Sequence, residues 1–407
     1  MCGINKEHAM AQLTSQSEVF TRSVEDVITK GELDTLLKSG KKLRVKLGID
    51  ATSANLHIGH GAALWKLRAL QEAGHKAVII MGDATTRIGD PTGKTTSRPV
   101  LRPDVIKKNI ASIRKQVEYI LLTKPASFEV RSNSEWFGAM KTMQFLDIVS
   151  HVTHARLIER DMFQERIRQG KEITALEMLY PVMQGYDSVA IKSDMTVIGS
   201  DQLFNEHMGR FFQERFGRKP QVIVTLKLLP GIGGGEKMSK SLGNYIGLAD
   251  TPQDKFGKAM RITDDQIVPY LEAYTAVSMS EIERVKRDLE GGKNPMESKL
   301  FFADELVARY HGPEAAKKER ERFVTIFSRR ELPEEIPSFI VRSVNIIDIM
   351  VAIGFAPTRS EARRLIKQRA VEVDGKRIDE NTGEVEKKDG VVIKAGKRRI
   401  AKLTFKG

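Results

Sequence analysis

Two lysines three positions apart in Lys237-Met238-Ser239-Lys240-Ser241 follow the glycine-rich run Gly231-Ile232-Gly233-Gly234-Gly235, a composition suited to a mobile clamp on polyphosphate. Cations that close as phosphate charge develops stabilise the transition state more than the ground state. His57-Ile58-Gly59-His60 is the second group, two imidazoles at a predicted helix start. Unpaired backbone N–H groups and the positive end of the helix dipole favour an anion there whatever the side chains. The imidazoles add donors to the same phosphates, so the two motifs together describe a nucleotide-phosphate site. Alone, a glycine-lysine loop reads as a solvated turn and a single histidine as structural.

The elements around these motifs must place them together. Leu43 to Ile49 alternates as a strand and ends in the turn-rich Asp50-Ala51-Thr52-Ser53-Ala54-Asn55. Ile58, Ala62, Trp65 and Ala69 then repeat at helical spacing from His57 to Glu72, Gly74 stops the helix, and Lys76 to Gly82 reads as a buried strand. This is a βαβ unit with the histidines in the first turn of its helix. A second strand-to-helix turn occurs at Met195 to Ile198 followed by Gly199-Ser200-Asp201-Gln202, with a helix from Leu203 to Phe216. The alternation predicts an α/β fold with a Rossmann-like parallel sheet and ligand at the strand C-termini.

From Thr251 to Phe327 the pattern is helices only, with breaks at Gly291-Gly292 and Gly312-Pro313, and Arg329 to Ser338 resembles a linker. Near the end, Thr358 and Glu361 predict a capping box and a helix carrying Arg363, Arg364 and Lys367. Val371 to Ile378 predicts a hairpin around Asp374-Gly375. A basic helix beside a small sheet suits RNA phosphate and shape recognition.

With 407 residues, the length predicts roughly two to three domains. Hydrophobic residues at 41% and charged residues at 29% describe a globular chain, and no apolar stretch approaches the ~18 residues that span a bilayer. Cys2, the single cysteine, excludes an intrachain disulfide framework and a zinc cluster. Met1 to Arg22 has neither the apolar core of a secretion signal nor the pattern of an organelle presequence, so a cytoplasmic protein is expected, with Met1 and Met10 both open as its start. A net charge of +13 favours a polyanionic partner. Val344 to Gly407 holds 15 Lys or Arg against 9 Asp or Glu, nearly half of that excess, which marks the C-terminus as the nucleic-acid end.

The motifs, in order, are Gly48-Ile49-Asp50-Ala51-Thr52, His57 to His60, Ile88-Gly89-Asp90-Pro91-Thr92-Gly93-Lys94, Tyr180-Pro181-Val182-Met183-Gln184-Gly185-Tyr186-Asp187, Gly199 to Gln202, and Lys237 to Ser241. On these the chain resembles the bacterial tyrosyl-tRNA synthetases, class I aminoacyl-tRNA synthetases, over nearly its full length. Its last segment is similar to the S4 RNA-binding module that commonly ends them. The resemblance implies activation of L-tyrosine by ATP to tyrosyl-adenylate with release of pyrophosphate, then transfer of tyrosyl to the 3′-terminal adenosine of tRNA(Tyr). ATP is then a substrate whose Mg2+ arrives on the nucleotide, with no resident protein-ligated metal. A homodimer without membrane association is implied as well.

Such chemistry needs no covalent catalyst, because the substrate carboxylate is already an anion that attacks the α-phosphate; positioning and charge stabilisation remain. By resemblance, Thr52, His57 and His60 donate to the phosphates, and Lys237, Lys240, Lys94 and Arg98 gather around the departing pyrophosphate. Gly59 lets adenine pack on the helix, Gly199 and Asp201 hold the ribose, and Met238 belongs to the ATP site. Asp90, Tyr180 and Gln184 bind the amino group, Gln202 sits near the carboxylate, Asp187 accepts from the phenol, and Gly48 and Asp50 belong to the tyrosine pocket. Phenylalanine would leave Asp187 buried and unpaired. Arg359, Arg363, Arg364 and Lys367 are the implied RNA contacts. The implied domains are a catalytic domain 1–250 with a helical connective insertion at about 125–190, an α-helical anticodon-side domain 251–335, and an S4-like domain 340–407.

Tyr180, Gln184 and Asp187 fall on one helical face, in a helix that Thr174 and Glu177 start and that Pro181 should kink. Four positions depart from the family's usual pattern. Lys46 stands where many members have a tyrosine and others a lysine, which leaves a second phenol contact open. Ala51 replaces a proline, Ile198 a glycine, and Arg369 a helix-capping glycine, which leaves room for that helix boundary to shift. Other functions compete: a tryptophan-activating enzyme on the same fold, an RNA-binding or splicing protein without catalysis, and a small nucleotidyltransferase. Asp187 speaks against the first, the intact phosphate-site residues against the second, and the long basic extension against the third.

Overall fold

The computed structural model describes residues 13–91, 101–239, 242–327, 336–378, 383–396 and 399–405. Lys94, Arg98, Lys240, Ser241 and most of the expected linker lie outside them. The chain divides into two compact units, Met1–Ala316 and Lys317–Gly407.

In the first unit six strands form one sheet among the described residues: β1 (Val24–Ile28), β2 (Arg44–Asp50), β3 (Lys76–Gly82), β4 (Phe128–Ser132), β5 (Met195–Gly199) and β6 (Val222–Leu226). Their spatial order is β1-β6-β5-β2-β3-β4, with β1 antiparallel at the edge and the rest parallel. β6 is buried along its whole length and β3 from Ala77 onward, as expected for parallel strands covered on both faces. The sequence pattern anticipated β2, β3 and β5. It did not single out β1, whose Val-Glu-Asp-Val-Ile is too short and polar to stand out.

This strand order creates the site. From β2 the chain builds outward to β3 and β4, then returns to place β5 on the other side of β2. Such a reversal is a topological switch point, where neighbouring loops leave in opposite directions and a crevice opens at the strand C-termini. β2 pairs with β3 at seven consecutive positions from Arg44 to Asp50, but with β5 only at Val45↔Met195 and Lys46↔Thr196. Beyond Lys46 the two strands part, and their ends at Asp50 and Gly199 flank the opening.

The histidine helix, Ile58–Glu72, joins β2 to β3 and buries Ile58, Ala63, Leu64, Leu67 and Leu70. The Ala175–Ala190 helix starts in the expected Thr174/Glu177 capping box and continues through Pro181 without a break. It leads into β5, after which come a short 3₁₀ turn, Ser200–Gln202, and the Leu203–Arg215 helix. From Pro252 to Phe327 the described elements are helical, and among them Phe256, Tyr270, Phe302, Leu306 and Tyr310 are buried.

In the second unit, β7 (Ser338–Val341), β8 (Val371–Val373), β9 (Lys376–Arg377), β10 (Val392–Ala395) and β11 (Arg399–Phe405) form a sheet in the order β7-β11-β10-β8-β9. The helices Ile346–Ala352 and Arg359–Lys367 share a core with it that includes Ile349, Met350, Ala362, Ile366, Ile393 and Leu403. The expected hairpin is present: Asp374 and Gly375 take φ of +47° and +78° between β8 and β9, the two left-handed residues of a type I′ turn.

Two local expectations change in this unit. Thr358 accepts from the Glu361 N–H at 3.2 Å, but the Glu361 carboxylate turns to Arg364, so only half of the capping box forms. Arg369 itself adopts the left-handed conformation, φ +53°, and the Arg369 and Ala370 N–H groups close onto the carbonyls of Ile366 and Leu365. The helix therefore ends with a left-handed cap despite lacking glycine, at a strain of about 1 kcal/mol.

Candidate active site

At the switch point lies a cleft of about 1080 Å³. Fifteen of the predicted residues line it: Gly48, Asp50, Thr52, His57, Gly59 and His60 from β2 through the start of the histidine helix, Asp90 after β3, Tyr180, Gln184 and Asp187 from one helical face, Gly199, Asp201 and Gln202 at the end of β5, and Lys237 with Met238. Residues up to 190 positions apart thus share one concavity.

His57 is the N-cap of its helix, not a first-turn residue, and it ties down the helix start. Its Nδ1 accepts the Gly59 N–H at 3.2 Å, while Nδ1 of His60 accepts the His57 N–H at 3.4 Å. A β-carbon on Gly59 would meet the His57 ring at 2.9 Å, so this fold of the ring requires glycine. An Nδ1 that accepts puts the imidazole proton on Nε2, making that nitrogen the donor in both rings. The Ile58 N–H is engaged as well, by the Ile246 carbonyl at 3.0 Å. Of the backbone N–H groups expected to attract an anion at this helix start, those of Ile58 and Gly59 are already paired, which moves the donor role toward the imidazoles.

That bond to Ile246 also joins the histidine motif to the segment that follows the lysine motif. Leu248 N–H donates to the Leu56 carbonyl at 2.8 Å, so the segment leaving the lysine loop pairs with the segment entering the histidine helix. Within the loop, Asn244 accepts from the Ser239 N–H at 2.8 Å and donates to the carbonyls of Glu236 and Lys237. Gly233, Gly234 and Gly235 all have left-handed φ, between +76° and +91°, a run that other residues enter only with strain. Lys237 Nζ rests on the Asp201 carboxylate at 2.8 Å.

Around Asp50, Asp90 and Asp187 the cleft is lined by a polar network. Tyr180 donates to Asp50 at 3.0 Å, and Asp50 also accepts from Thr85 at 2.8 Å. Gln202 donates to Asp90 at 2.8 Å. Burial raises the Tyr180 hydroxyl well above the usual phenol range. Asp187 is buried and accepts from Trp136 Nε1 at 2.9 Å and from Asn133 Nδ2 at 3.4 Å. Desolvation pushes its carboxyl up to about 8, against the opposing pull of the Lys46 charge and the two donors. Asn133 and Trp136 were not predicted; a tryptophan just beyond a strand end was the only available signal.

Lys46, with 1% of its surface exposed, donates to Glu206 at 2.6 Å and to Ser188 at 2.7 Å. Its ammonium is committed to those partners. Glu206, unnoticed in the sequence, lines the cleft and also accepts from Gln184 and Gln221. Arg160, likewise unpredicted, is buried with its charge near Asp90.

In the second unit Arg359, Arg363, Arg364 and Lys367 are all exposed on a helix whose opposite face buries Ala362 and Ile366. Arg359 pairs with Asp348, and Arg364 holds Glu361 through two nitrogens at 2.9 and 2.7 Å.

Residues 38–328 match the family model of the tRNA synthetases class I (W and Y), and residues 346–389 match the S4 domain. The chain belongs to the class I tRNA synthetase family. Among relatives in that family, the tyrosine–tRNA ligase of Moorella thermoacetica is 40% identical, covering 96% of each chain, and that of Thermotoga maritima is 41% identical, covering 96% of this chain and 97% of its own. The fold is shared with more distant solved structures. A tyrosyl-tRNA synthetase of Archaeoglobus fulgidus complexed with L-tyrosine superposes with a TM-score of 0.58 at 22% identity, covering 74% of this chain and 98% of its own. A C-terminally truncated mitochondrial tyrosyl-tRNA synthetase of Aspergillus nidulans reaches 0.64 at 20% identity, covering 76% and 93%.

Proposed function

We infer that the protein is a tyrosine–tRNA ligase, which joins L-tyrosine to ATP as tyrosyl-adenylate, releases pyrophosphate, and passes the tyrosyl group to the 3′-terminal adenosine of tRNA(Tyr). The observation that carries the amino-acid choice is Asp187, a buried carboxylate that lines the cleft with two neutral donors, one on each oxygen, and lone pairs for a third. A phenol O–H supplies that third donor; a phenylalanine ring would cover the carboxyl group without adding a hydrogen bond to it. Indole N–H is also a donor, so the decisive test is pyrophosphate exchange into ATP with each of the twenty amino acids. Exchange with tyrosine is expected, and exchange with tryptophan alone would overturn the reading.

In this reading Tyr180, Gln184 and Asp90 take the ammonium group and Gln202 the carboxylate. The nucleotide, bringing its own Mg2+, lies along Gly59, Gly199, Asp201 and Met238. His57 and His60 offer Nε2 to the phosphates beside Thr52, and Lys237 leaves Asp201 when ribose takes its place. Lys94, Arg98 and Lys240 complete the pyrophosphate site. The exposed basic helix supports tRNA binding through Arg359, Arg363, Arg364 and Lys367. The division into a catalytic domain 1–250, an anticodon-side domain 251–335 and an S4-like domain 340–407 belongs to the same proposal.

A cytoplasmic homodimer completes it. Met143, Leu146, Ile167, Leu176 and Phe216 are large apolar side chains between 37% and 74% exposed, surface that a second copy of the chain would cover. Sedimentation should find a dimer; a stable monomer at working concentration would refute it. No helix among the described residues is long and apolar enough to cross a membrane.

A further inference from the structure

Lys46 and Glu206 form an ion pair with only 2% of either side chain exposed, an arrangement that seldom adds stability over an apolar pair of the same shape. Its connections suggest another purpose. Lys46 Nζ reaches Ser188, the residue after Asp187, at 2.7 Å. Glu206 Oε1 accepts from Gln184 Nε2 at 2.9 Å, and Gln184 Oε1 accepts from Asn205 Nδ2 at 2.9 Å. Asn205 donates on to Gln202 at 2.9 Å, and Gln202 to Asp90 at 2.8 Å. One unbroken set of hydrogen bonds therefore runs from beside Asp187 to Gln184, Gln202 and Asp90. Because Gln184 Nε2 is committed to Glu206, its amide oxygen, with a second lone pair beyond the Asn205 bond, is the atom that can accept from an ammonium group.

We propose that the Lys46–Glu206 pair is the positioning element of the amino-acid pocket, locking the acceptor for the phenol and the acceptors for the ammonium group into one register. The proposal rests on the reading that tyrosine is the substrate. Lys46 and Glu206 act through Asp187 and Gln184 and touch no reacting atom. Lys46 takes the place of a direct second phenol contact by holding the network that both ends of the substrate meet. A flexed or rotated amide at Gln184 would misplace the α-carboxylate relative to ATP, since the ammonium and carboxylate groups hang from the same substrate carbon.

The charged groups acting on Asp187 are Lys46 from β2 and Glu206 from the Leu203–Arg215 helix; Trp136 and Asn133 face it as neutral donors, and on its own helix Tyr180 is a titratable side chain on which the Asp187 charge acts. The two members of the pair pull Asp187 in opposite directions, which gives a signature that simple loosening would not.

The test uses the full chain and tyrosine-dependent pyrophosphate exchange. Absence of exchange in the unmodified protein would sink the ligase reading itself, whereas substitutions at Lys46 and Glu206 probe the pair alone. The neutral double variant Lys46→Met/Glu206→Gln should fold, raise KM for tyrosine roughly tenfold or more, and leave KM for ATP within about twofold. In the single variants the acid limb of kcat/KM for tyrosine should move to higher pH for Lys46→Met and to lower pH for Glu206→Gln. A folded double variant with unchanged tyrosine KM overturns the proposal, as do single variants whose limbs stay put or move the same way. A double variant that no longer melts cooperatively also counts against it, since the pair is assigned to positioning rather than stability.

Discussion

Trp136→Phe removes one donor from Asp187 while keeping an aromatic ring in place. The Trp136 N–H to Asp187 bond is 2.9 Å long, the shorter of the two donors that hold this buried carboxylate. A hydrogen bond to a charged group contributes about 1.5–3 kcal/mol. At about 1.36 kcal/mol for each tenfold change in protonation equilibrium, its loss should raise the Asp187 carboxyl by about one to two pH units above the value near 8 that burial already gives it. The ionised carboxylate accepts on both oxygens and makes the stronger, charge-assisted bond to a phenol O–H, so it is the binding form in parent and variant alike. The ionised fraction at pH 7.5 then falls about tenfold or more, and kcat/KM for tyrosine falls with it, roughly 10- to 100-fold. Initial rates of pyrophosphate exchange from pH 6 to 9.5 measure this. The acid limb of kcat/KM, which reports the free enzyme, should move upward and much of the loss should be recovered at high pH. The kcat limb should move less, because bound phenol restores a donor. A uniform loss at every pH with the limb unmoved would show that the ring's volume matters and its N–H does not, and the reasoning would fail.

Three other outcomes are expected. Asp187 binds its proton more tightly in the folded than in the unfolded chain, so between the ordinary carboxylate range and pH 8 the folded state holds more protons and stability falls as pH rises. Asp187→Asn should therefore gain stability relative to the parent as pH rises from 5 to 8 while losing tyrosine exchange; a stability difference independent of pH in thermal melts would refute this. Gly234→Ala, at φ +79°, should strain the loop by about 1 kcal/mol and slow adenylate formation in single-turnover measurements while tyrosine affinity stays unchanged. Selective loss of tyrosine affinity would contradict it. Arg369→Gly should relieve the left-handed cap and stabilise the Lys317–Gly407 unit by about 1 kcal/mol in denaturant unfolding, and destabilisation would count against the strain assigned there.

The sequence by itself determined the features that depend on near neighbours. The βαβ unit, the histidines at a helix start, the common face of Tyr180, Gln184 and Asp187, and the Asp374-Gly375 hairpin all follow from periodicity, capping and turn preference over a few residues. Helical spacing puts three side chains on one face wherever the helix ends up. The tertiary structure alone decided who meets whom at long range: Lys46 with Glu206, 160 positions apart, Trp136 with Asp187, 51 apart, and Lys237 with Asp201, 36 apart. It also decided that β2 and β5 separate beyond Lys46, which turns a strand end into a cleft. The physical reason is desolvation. A carboxylate's proton affinity and a lysine's choice of partner are set by how completely water is removed and by which groups arrive from other elements. Spacing along the chain records neither, so Lys46 could be noticed in the sequence while its partner could not.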